Sequence, residues 1–456
     1  MSIFFDENSQ SAIFEKKRSH FESKAPEDQG EKPKTQVNMK HIVIIGAGIS
    51  GLSLAWFLQK KFQNRLKITL FEKSNRVGGC IQTVFKNDFL FEMGPHSLRS
   101  YGKATLNLIR ELGLEKEMVF ADPSAKKRFL YFNQKLHQVP STIPEMARQP
   151  WIWPMLPSLL WEYFRKSQNH SEETVLSFFS RRFGKKITET LLEPMCLGIF
   201  AGDISQLSLK SCFPNLYAWE KTFGSVLRGL FRQPSQSGQI FSFRRGLETL
   251  PRALADQLNI DLHLNVTNIQ FEAKNQNIEF VHPYPFEADH VFLAISPQEI
   301  THFFPNPDLK QFSTQSIAIA HLGYRKSILK QNGFGYLVPT KENESILGMI
   351  WSSSIFPTQN WNPEETRLTV MMNGSQNQNV ALEAARSHLG IEIPPEHISY
   401  QILKHAIPQY TIGHAERVGN IIKQLSQNIT LLGNHFHGIS VGDCITHAEL
   451  VANTLN

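Results

Sequence analysis

The sequence contains little cysteine, and its four cysteines include no C-x-x-C pair. Cys80, Cys196, Cys212 and Cys444 lie far apart along the chain, which argues against a disulfide framework and against a zinc site. We therefore predict no metal site and expect a reducing compartment. Cys80 or Cys444 could carry a covalently attached cofactor, but a buried apolar thiol is the favoured interpretation of both.

Long hydrophobic runs are also missing. The uncharged segment 42–58 is shorter than the roughly 20 residues that a membrane span needs, and a turn explains its three glycines. No signal peptide is expected before it, because residues 1–38 are mostly polar and charged. These residues are predicted to form a disordered extension, and Met1 and Met39 both remain open as the functional start.

Charge is sparse: charged residues make up 19% of the chain, and the formal net charge is +6. No basic stripe with interleaved aromatic residues occurs, so nucleic acid is not expected as a partner. Hydrophobic residues make up 41% of the 456 residues, which predicts two or three folded domains. Phenylalanine is frequent, at 33 residues, and predicts a pocket or surface rich in aromatic rings.

The most informative feature is the segment Gly46-Ala47-Gly48-Ile49-Ser50-Gly51. It follows the apolar β-branched segment 41–45 and precedes the apolar segment 52–58, a pattern typical of a buried strand and of a helix packed on a sheet. A second strand is predicted at 66–71, and Glu72 lies at its C-terminal tip. The glycines permit a tight turn and a close approach of the backbone to a pyrophosphate at the helix N-terminus. Because Glu72 can accept hydrogen bonds from a ribose, the sequence predicts a dinucleotide-binding βαβ unit.

Two later segments indicate which dinucleotide is bound. Arg76-Val77-Gly78-Gly79 follows Glu72, and Phe91-Glu92-Met93-Gly94-Pro95 comes next. A second glycine pair suits a larger cofactor that lies extended along the protein, namely FAD. The order E-x(3)-R-x-G-G resembles the FAD-containing amine oxidase superfamily. That resemblance implies an α/β fold with a Rossmann-like FAD-binding domain of the amine-oxidase type, an α+β substrate domain and a helical domain that could associate with a membrane.

The chain order predicts how these domains are divided. FAD-binding segments are expected at 39–122 (with some substrate-domain elements), 236–300 and 415–456. Between them lie a helical substrate or membrane-associating domain at 123–235 and a substrate-binding antiparallel sheet at 301–414. Residues 150–165 contain three tryptophans and predict either a domain-interface helix or a patch that enters a membrane headgroup region.

Local patterns predict individual elements inside these domains. Helices are expected at 104–112 and 250–258, and strands at 260–271, 277–283, 289–295, 315–325, 334–338, 346–352, 366–372 and 428–432. A last helix, which opens near Gly442-Asp443, is predicted to turn its positive N-terminal end toward a flavin ring.

Seven short segments resemble, more narrowly, the oxygen-dependent protoporphyrinogen oxidase family, and the resemblance covers residues 40–456. The segments are Gly94–Arg99, Lys127–Tyr131, Gly198–Asp203, Ser211–Pro214, Gly333–Pro339, Ile407–Tyr410 and Val441–Cys444. The resemblance implies an FAD-dependent, six-electron oxidation of protoporphyrinogen IX to protoporphyrin IX in haem biosynthesis, with O2 as acceptor and H2O2 as by-product. Since the flavin carries that chemistry, no catalytic side chain is predicted.

The family's site residues transfer to matching positions of this sequence. The implied FAD contacts are Gly46, Ala47, Gly48, Ile49, Ser50, Gly51, Glu72, Lys73, Cys80, Gly94, Pro95, His96, Ser97, Val266 (on a strand beside the adenine), Asn434, Ile439, Ser440 and Val441. Arg128 is implied to pair with a propionate of the tetrapyrrole, and Gly198, Leu322 and Met371 to line the macrocycle cavity. An apolar pocket with a guanidinium that can grip a carboxylate suits such a substrate.

Some positions depart from the family pattern or leave alternatives open. His96 stands where the family often has arginine, and Leu197 stands where some members have arginine. The preceding Lys126-Lys127 leaves open that Arg128 is exposed or paired with a protein carboxylate. An apolar Leu197 favours protoporphyrinogen over coproporphyrinogen III, whose four propionates call for more positive charge. A flavin amine oxidase and a non-catalytic FAD-binding scaffold are more distant alternatives.

The resemblance also implies partners and a location. The porphyrinogen and O2 are the expected small-molecule partners. Peripheral membrane contact through 123–235, a homodimer and a hand-off to a ferrochelatase are compatible with it. The expected location is cytoplasmic, with or without peripheral contact to the cytoplasmic membrane.

Overall fold

The computed structural model describes residues 39–100, 102–168, 172–233, 238–274 and 277–455. The predicted disordered extension, 1–38, lies outside these residues. The strands are β1 Lys40–Ile45, β2 Leu66–Phe71, β3 Thr83–Lys86, β4 Phe89–Glu92, β5 Leu98–Arg99, β6 Met118–Phe120, β7 Arg128–Phe132, β8 Lys135–Val139, β9 Ile240–Phe243, β10 Asp261–His263, β11 Gln270–Ala273, β12 Ile278–His282, β13 Phe286–Ala288, β14 His290–Leu293, β15 Ser313–Tyr324, β16 Gly335–Leu337, β17 Ile346–Ile350, β18 Thr366–Asn373, β19 His397–Gln409 and β20 Ile429–Leu431.

Helices connect and cover these strands. They are α1 Ile49–Phe62, α2 Lys103–Glu111, α3 Ile143–Ala147, α4 Leu156–Phe164, α5 Val175–Phe183, α6 Lys185–Ile187, α7 Glu193–Phe200, α8 Leu209–Cys212, α9 Pro214–Phe223, α10 Val226–Arg232, α11 Thr249–Gln257, α12 Pro297–Ile300, α13 Ser352–Ile355, α14 Gln378–Leu389, α15 His414–Gln424 and α16 Val441–Thr454.

A five-stranded parallel sheet forms the predicted nucleotide-binding core, in the order β10-β2-β1-β14-β20. On one face, Ile42 and Ile44 of β1 pack in an apolar cluster that includes α1 and α16. On the other face, Val43 and Ile45 pack in a second cluster that includes α15. Because both faces are covered, the buried part of β1, Ile42 to Ile45, is apolar at every position, as a strand covered on both faces requires.

A seven-stranded sheet forms the second layer, in the order β19-β15-β18-β17-β16-β7-β8. Helix α14 covers one face of this sheet. Two of its strands, β7 and β8, come from the region 123–235 that was predicted to be helical, so the helical character of that region begins only at α3. The 13-residue strand β19 had no sequence prediction, because its basic and proline residues suit an edge strand and hide the alternation of a buried one.

Helices α3 to α10 enclose a separate aromatic core that contains Phe178, Phe179, Phe200 and Phe213. Two side chains of α5 form ion pairs with glutamates: Arg181 with Glu173 and Glu220, and Arg182 with Glu162. Trp161, on α4, is 65% exposed and lies on the outside. Among the residues described, no helix combines the length and the apolar character that crossing a bilayer requires.

Candidate active site

The turn between β1 and α1 has the geometry that the glycine pattern predicts. Gly46 has a φ of +106°, and a Cβ at this position would lie 2.5 Å from the carbonyl oxygen of Ala294. A Cβ on Gly51 would lie 2.0 Å from the carbonyl oxygen of Gly46. A Cβ on Gly48 would meet no atom within 4 Å. Gly46 and Gly51 are therefore required by the turn itself, whereas Gly48 borders open space.

The N-terminus of α1 fits an anionic group. Gly48 is the N-cap, no side chain accepts a hydrogen bond from the first turn, and no acidic residue lies in that turn. The first amides of a helix lack intrahelical acceptors and carry the positive end of the helix dipole. A pyrophosphate would supply these acceptors, and the open space beside Gly48 gives it room.

Glu72 lies where β2 ends, next to this turn. Its Oε2 accepts a hydrogen bond from the Ala47 amide at 2.8 Å, and its Oε1 accepts from the amide and hydroxyl of Ser74 at 2.9 and 2.8 Å. Val266 donates its amide to the Glu72 carbonyl at 2.9 Å. The prediction that Val266 lies on a strand is wrong: β10 ends at His263, and the chain turns through Asn265 with a φ of +61°.

A second glycine loop, Gly78-Gly79, packs against the glycine turn between β1 and α1. Gly78 forms an isolated parallel bridge with Gly48, and a Cβ on Gly79 would lie 3.2 Å from the Gly48 Cα. Cys80, which was expected to be buried, is exposed. Surrounding protein atoms nevertheless desolvate its thiol and raise its pKa. Cys80 directly follows Gly79, which packs on Gly48, so it lies near the predicted pyrophosphate site.

The turn that begins at Gly94 packs directly on this loop, since a Cβ on Gly94 would lie 1.9 Å from the Cys80 carbonyl oxygen. Glu92, just before the turn, accepts hydrogen bonds from the Thr83 hydroxyl at 2.8 Å and from the Leu247 amide at 2.7 Å. Burial raises the pKa of Glu92 to about 7. His96 and Ser97 line a small cavity of about 20 Å³ together with residues of the seven-stranded sheet.

His96 is a neutral imidazole in this setting. Burial lowers its pKa to about 4, although a hydrogen bond to the Gly94 backbone acts in the opposite direction and Arg367 adds repulsion. Its Nε2 has no hydrogen-bond partner among the described residues. The position where relatives often carry a permanent cation therefore holds an uncharged ring with one free nitrogen.

The C-terminal segment completes this side of the cleft. Asn434 accepts a hydrogen bond from the Tyr410 hydroxyl through its carbonyl. Ser440 is the N-cap of α16 and forms a capping box with Asp443, in which both hydrogen bonds are present. The capping box provides hydrogen-bond acceptors for the backbone amides of Ser440 and Asp443. The predicted contact between this helix end and the flavin therefore depends on the amides of Val441 and Gly442. Ile439 packs against the aromatic core of the helical region.

Lys73 lies at the outer edge of this group. Its ammonium pairs with Glu299 at 2.7 Å, and 64% of the side chain is exposed. Its contact with a cofactor stays a prediction.

Three of the four predicted substrate residues lie on one face of the seven-stranded sheet. Met371 pairs across the strands with Gly348 and Ile319, and Gly348 pairs with Leu337. A Cβ on Gly198, on α7, would lie 3.1 Å from a methyl carbon of Leu337. Arg128 starts β7 and belongs to the same face, because its neighbour Phe129 points into the cluster on the other face.

Leu322 is not brought together with them. It is fully buried in the cluster beneath α14, on the opposite face of the sheet. Its neighbour His321 faces the other way, toward His96, with a ring separation of 6.2 Å. Leu322 therefore lies on the face opposite to Arg128 and Met371, whereas His321 and Thr369, joined by a 3.0 Å hydrogen bond, lie on the same face as those two residues.

Arg128 stands partly buried with its guanidinium 5.1 Å from the centre of the Phe334 ring. Burial lowers its pKa, and the nearby Arg99 lowers it further. No carboxylate of the described residues forms an ion pair with Arg128 within 4 Å. Phe334 itself was not predicted as a site residue, although it lies in one of the seven segments that carry the resemblance.

These features define a class of protein: one that binds an extended dinucleotide beside an apolar sheet face with a cationic edge. The family model for flavin containing amine oxidoreductases matches residues 49–389. Protoporphyrinogen oxidase of Bos taurus is 33% identical over 90% of this chain and 97% of its own length. Coproporphyrinogen III oxidase of Bacillus subtilis is 27% identical, over 90% and 96% of the two chains. A crystal structure assigned to a protoporphyrinogen oxidase of Exiguobacterium sp. 255-15 superposes with a TM-score of 0.79 at 23% identity and covers 91% of this chain and 98% of the other.

The chain therefore belongs to the flavin containing amine oxidoreductase family and, within it, to the protoporphyrinogen oxidases. Its cofactor is FAD, and it is an FAD-dependent oxidoreductase. The predicted α/β fold with an FAD-binding domain of the amine-oxidase type, the cofactor and the family are confirmed, whereas membrane association of the helical domain stays a prediction.

Proposed function

We propose that this enzyme oxidises protoporphyrinogen IX to protoporphyrin IX, with O2 as acceptor and H2O2 as by-product, in porphyrin biosynthesis. The observation that carries the proposal is Arg128, a partly buried guanidinium at the edge of an apolar sheet face with no carboxylate partner among the described residues. An unpaired charge in such a place is costly, and a propionate carboxylate would neutralise it with two parallel hydrogen bonds.

The chain's own residues hold the reactants in this proposal. The glycine loops 46–51 and 78–79, the Gly94 turn and the segment 434–441 hold the FAD, whose ring system accepts the electrons. Leu337 and Met371 offer the macrocycle an apolar surface that excludes water. Arg128 orients the macrocycle by one carboxylate. Gly198, where a Cβ would crowd Leu337, lets α7 approach this surface closely.

The test is aerobic porphyrin fluorescence from the purified, FAD-loaded protein, with protoporphyrinogen IX and coproporphyrinogen III compared above their autoxidation rates. We expect faster formation of protoporphyrin. A preference for coproporphyrinogen III would retain the chemistry and reject the substrate, and no signal from either would reject the activity.

Replacing Arg128 by alanine should raise the KM for protoporphyrinogen and leave the flavin spectrum unchanged. A hydrogen bond to a charged group contributes about 1.5–3 kcal/mol, so the increase in KM should be about 10- to 100-fold. Steady-state kinetics with the flavin absorbance recorded on the same sample measures both effects.

Two control variants belong with this measurement. Arg128→Lys keeps the charge without the bidentate geometry and should lie between the wild type and Arg128→Ala. Arg386→Ala removes an exposed arginine on α14 and should change nothing. Loss of flavin from Arg128→Ala would show that the residue serves the cofactor site instead.

We also propose that the enzyme touches a membrane through α4 and α10. Leu160, Trp161, Phe164 and Phe231 are 65–74% exposed on these helices. Arg228 lies nearby, 4.8 Å from the Tyr163 ring. Exposed apolar side chains beside cations suit an anionic lipid surface. The proposed homodimer, the ferrochelatase hand-off and the cytoplasmic location stay predictions of the family resemblance.

Sedimentation with vesicles tests the membrane proposal. The wild type should bind vesicles that contain phosphatidylglycerol, and the pair Leu160→Ser with Phe164→Ser should lose most of this binding without loss of flavin. Equal binding by both proteins would reject this surface.

A further inference from the structure

A second arginine, Arg99, lies beside the proposed propionate anchor. Leu98 and Arg99 form β5, which pairs with Phe241 and Ile240 of β9. Leu98 is buried in the core of the nucleotide-binding domain. Because successive side chains of a strand point in opposite directions, Arg99 points away from that core.

The apolar surface next to Arg99 leads to Arg128. Ile240, the strand partner of Arg99, and Phe334 pack against the same small cluster of Val119, Ala125, Ile355 and Phe356. The Arg128 guanidinium lies over the ring of Phe334. The two arginines thus approach one apolar wall from two different sheets: Arg99 from the three-stranded sheet β5-β9-β6, and Arg128 from the seven-stranded sheet.

The charges at this wall are not balanced within the described part of the chain. None of the carboxylates there lies within 4 Å of either guanidinium, and Arg99 is the charged group whose repulsion lowers the pKa of Arg128. Two like charges held near each other in a partly desolvated place are unfavourable unless an anion lies between or beside them. Elsewhere in the molecule, buried arginines have carboxylate partners, as Arg182 has in Glu162 and Arg367 has in Glu365.

We propose that Arg99 is a second carboxylate-binding residue, and that Arg99 and Arg128 each bind one of the two propionates of the tetrapyrrole. This inference rests on the proposed function. It also gives a reason for substrate choice: two guanidiniums match a dicarboxylate, whereas a tetracarboxylate would leave two anions without an arginine at this wall. Arg99 lies two residues after Ser97, the last residue of the Gly94–Ser97 turn, so substrate and flavin would be positioned by one short segment.

The experiment measures binding of protoporphyrin IX and of its dimethyl ester to the FAD-loaded enzyme by fluorescence quenching. The ester keeps the macrocycle and removes both negative charges. The wild type should prefer the diacid. Arg99→Gln should weaken diacid binding about 10-fold and leave ester binding unchanged, and Arg128→Gln should do the same. With both substitutions, the preference for the diacid should disappear.

Arg99→Lys is the control for a loss of binding that comes from misfolding. A lysine keeps the positive charge and should restore part of the preference for the diacid. If Arg99→Gln weakens diacid and ester equally, or weakens neither, the inference is overturned. If Arg99→Gln does not retain flavin, Arg99→Lys is compared with the wild type in its place. Its preference for the diacid should then lie between that of the wild type and that of Arg128→Gln. A preference equal to that of the wild type overturns the inference.

The proposed function fails separately from this inference. It fails if the wild type does not oxidise protoporphyrinogen IX above autoxidation, whatever the arginine variants do. A wild type that turns over protoporphyrinogen while Arg99→Gln keeps the full diacid preference rejects Arg99 alone.

Discussion

Replacing Gly51 by alanine should destabilise the protein and prevent flavin binding. The added Cβ would lie 2.0 Å from the carbonyl oxygen of Gly46, and backbone at a tight turn cannot move aside as a flexible side chain can. Overpacking of this kind costs about 3 kcal/mol. The melting temperature of the protein without FAD and the flavin content after purification measure the two effects.

Gly48→Ala is the matched variant, because it changes the same turn without a clash. Gly48 has a φ of −68° and open space at its Cβ, so alanine fits the folded chain. The free energy of unfolding without FAD should change by less than about 0.5 kcal/mol. The methyl group would, however, occupy the approach to the first amides of α1, and FAD affinity should fall about 10- to 100-fold as charged hydrogen bonds are lost.

Gly419→Ala serves as the control for glycine replacement in general. This residue lies within α15, and a Cβ added there would meet no atom within 4 Å. Alanine at this position should raise the free energy of unfolding of the protein by up to about 1 kcal/mol.

If Gly48→Ala bound FAD as tightly as the wild type, the pyrophosphate would not lie on the turn between β1 and α1.

Replacing Glu162 by alanine should lower the free energy of unfolding by about 3–5 kcal/mol, because it leaves a buried charge uncompensated. Glu162 is fully buried on α4 and pairs with Arg182, of which 1% is exposed. It also accepts hydrogen bonds from the amides of Val226 and Leu227, at 2.9 and 3.1 Å, and from the Ser225 hydroxyl at 2.7 Å. A single carboxylate thus caps α10 and holds α4 against α5.

Urea unfolding of the variant measures this loss, with Glu383→Ala as the control. Glu383 forms an exposed pair with Arg386 at 3.0 Å, and such pairs contribute less than about 1 kcal/mol. Arg182 keeps one more distant partner, Glu220 at 3.4 Å. Equal losses in both variants would mean that Glu220 compensates the charge of Arg182 on its own.

The nucleotide-binding unit could be predicted from sequence because its signals are local. The predicted strands 41–45 and 66–71 are β1 and β2 almost to the residue, and the turn between β1 and α1 requires two of its three glycines, Gly46 and Gly51. An apolar run, a turn and a helix pattern each depend on neighbours within a few residues. The same holds for the predicted helices 104–112 and 250–258, each within one residue of the observed bounds of α2 and α11.

The substrate side depended on contacts between distant segments. β7 pairs with β16, which lies some 200 residues later in the chain, and no local sequence pattern predicts that pairing. The face on which Leu322 lies follows from the register of β15 between β18 and β19, and a shift of one residue exchanges the two faces. A local pattern could therefore not show that Leu322 lies on the face opposite to Met371.

The sequence by itself determined the family, the cofactor and the glycine turn of the βαβ unit, because short motifs encode backbone conformations that few residues can adopt. Only the tertiary structure decided that Cys80 is exposed, that His321 and not Leu322 faces His96, and that the strand partner of Arg99 packs on the same cluster as Phe334. These placements arise where two sheets and the helical region meet. They depend on strand register and on burial, which long-range packing sets and which no local segment specifies.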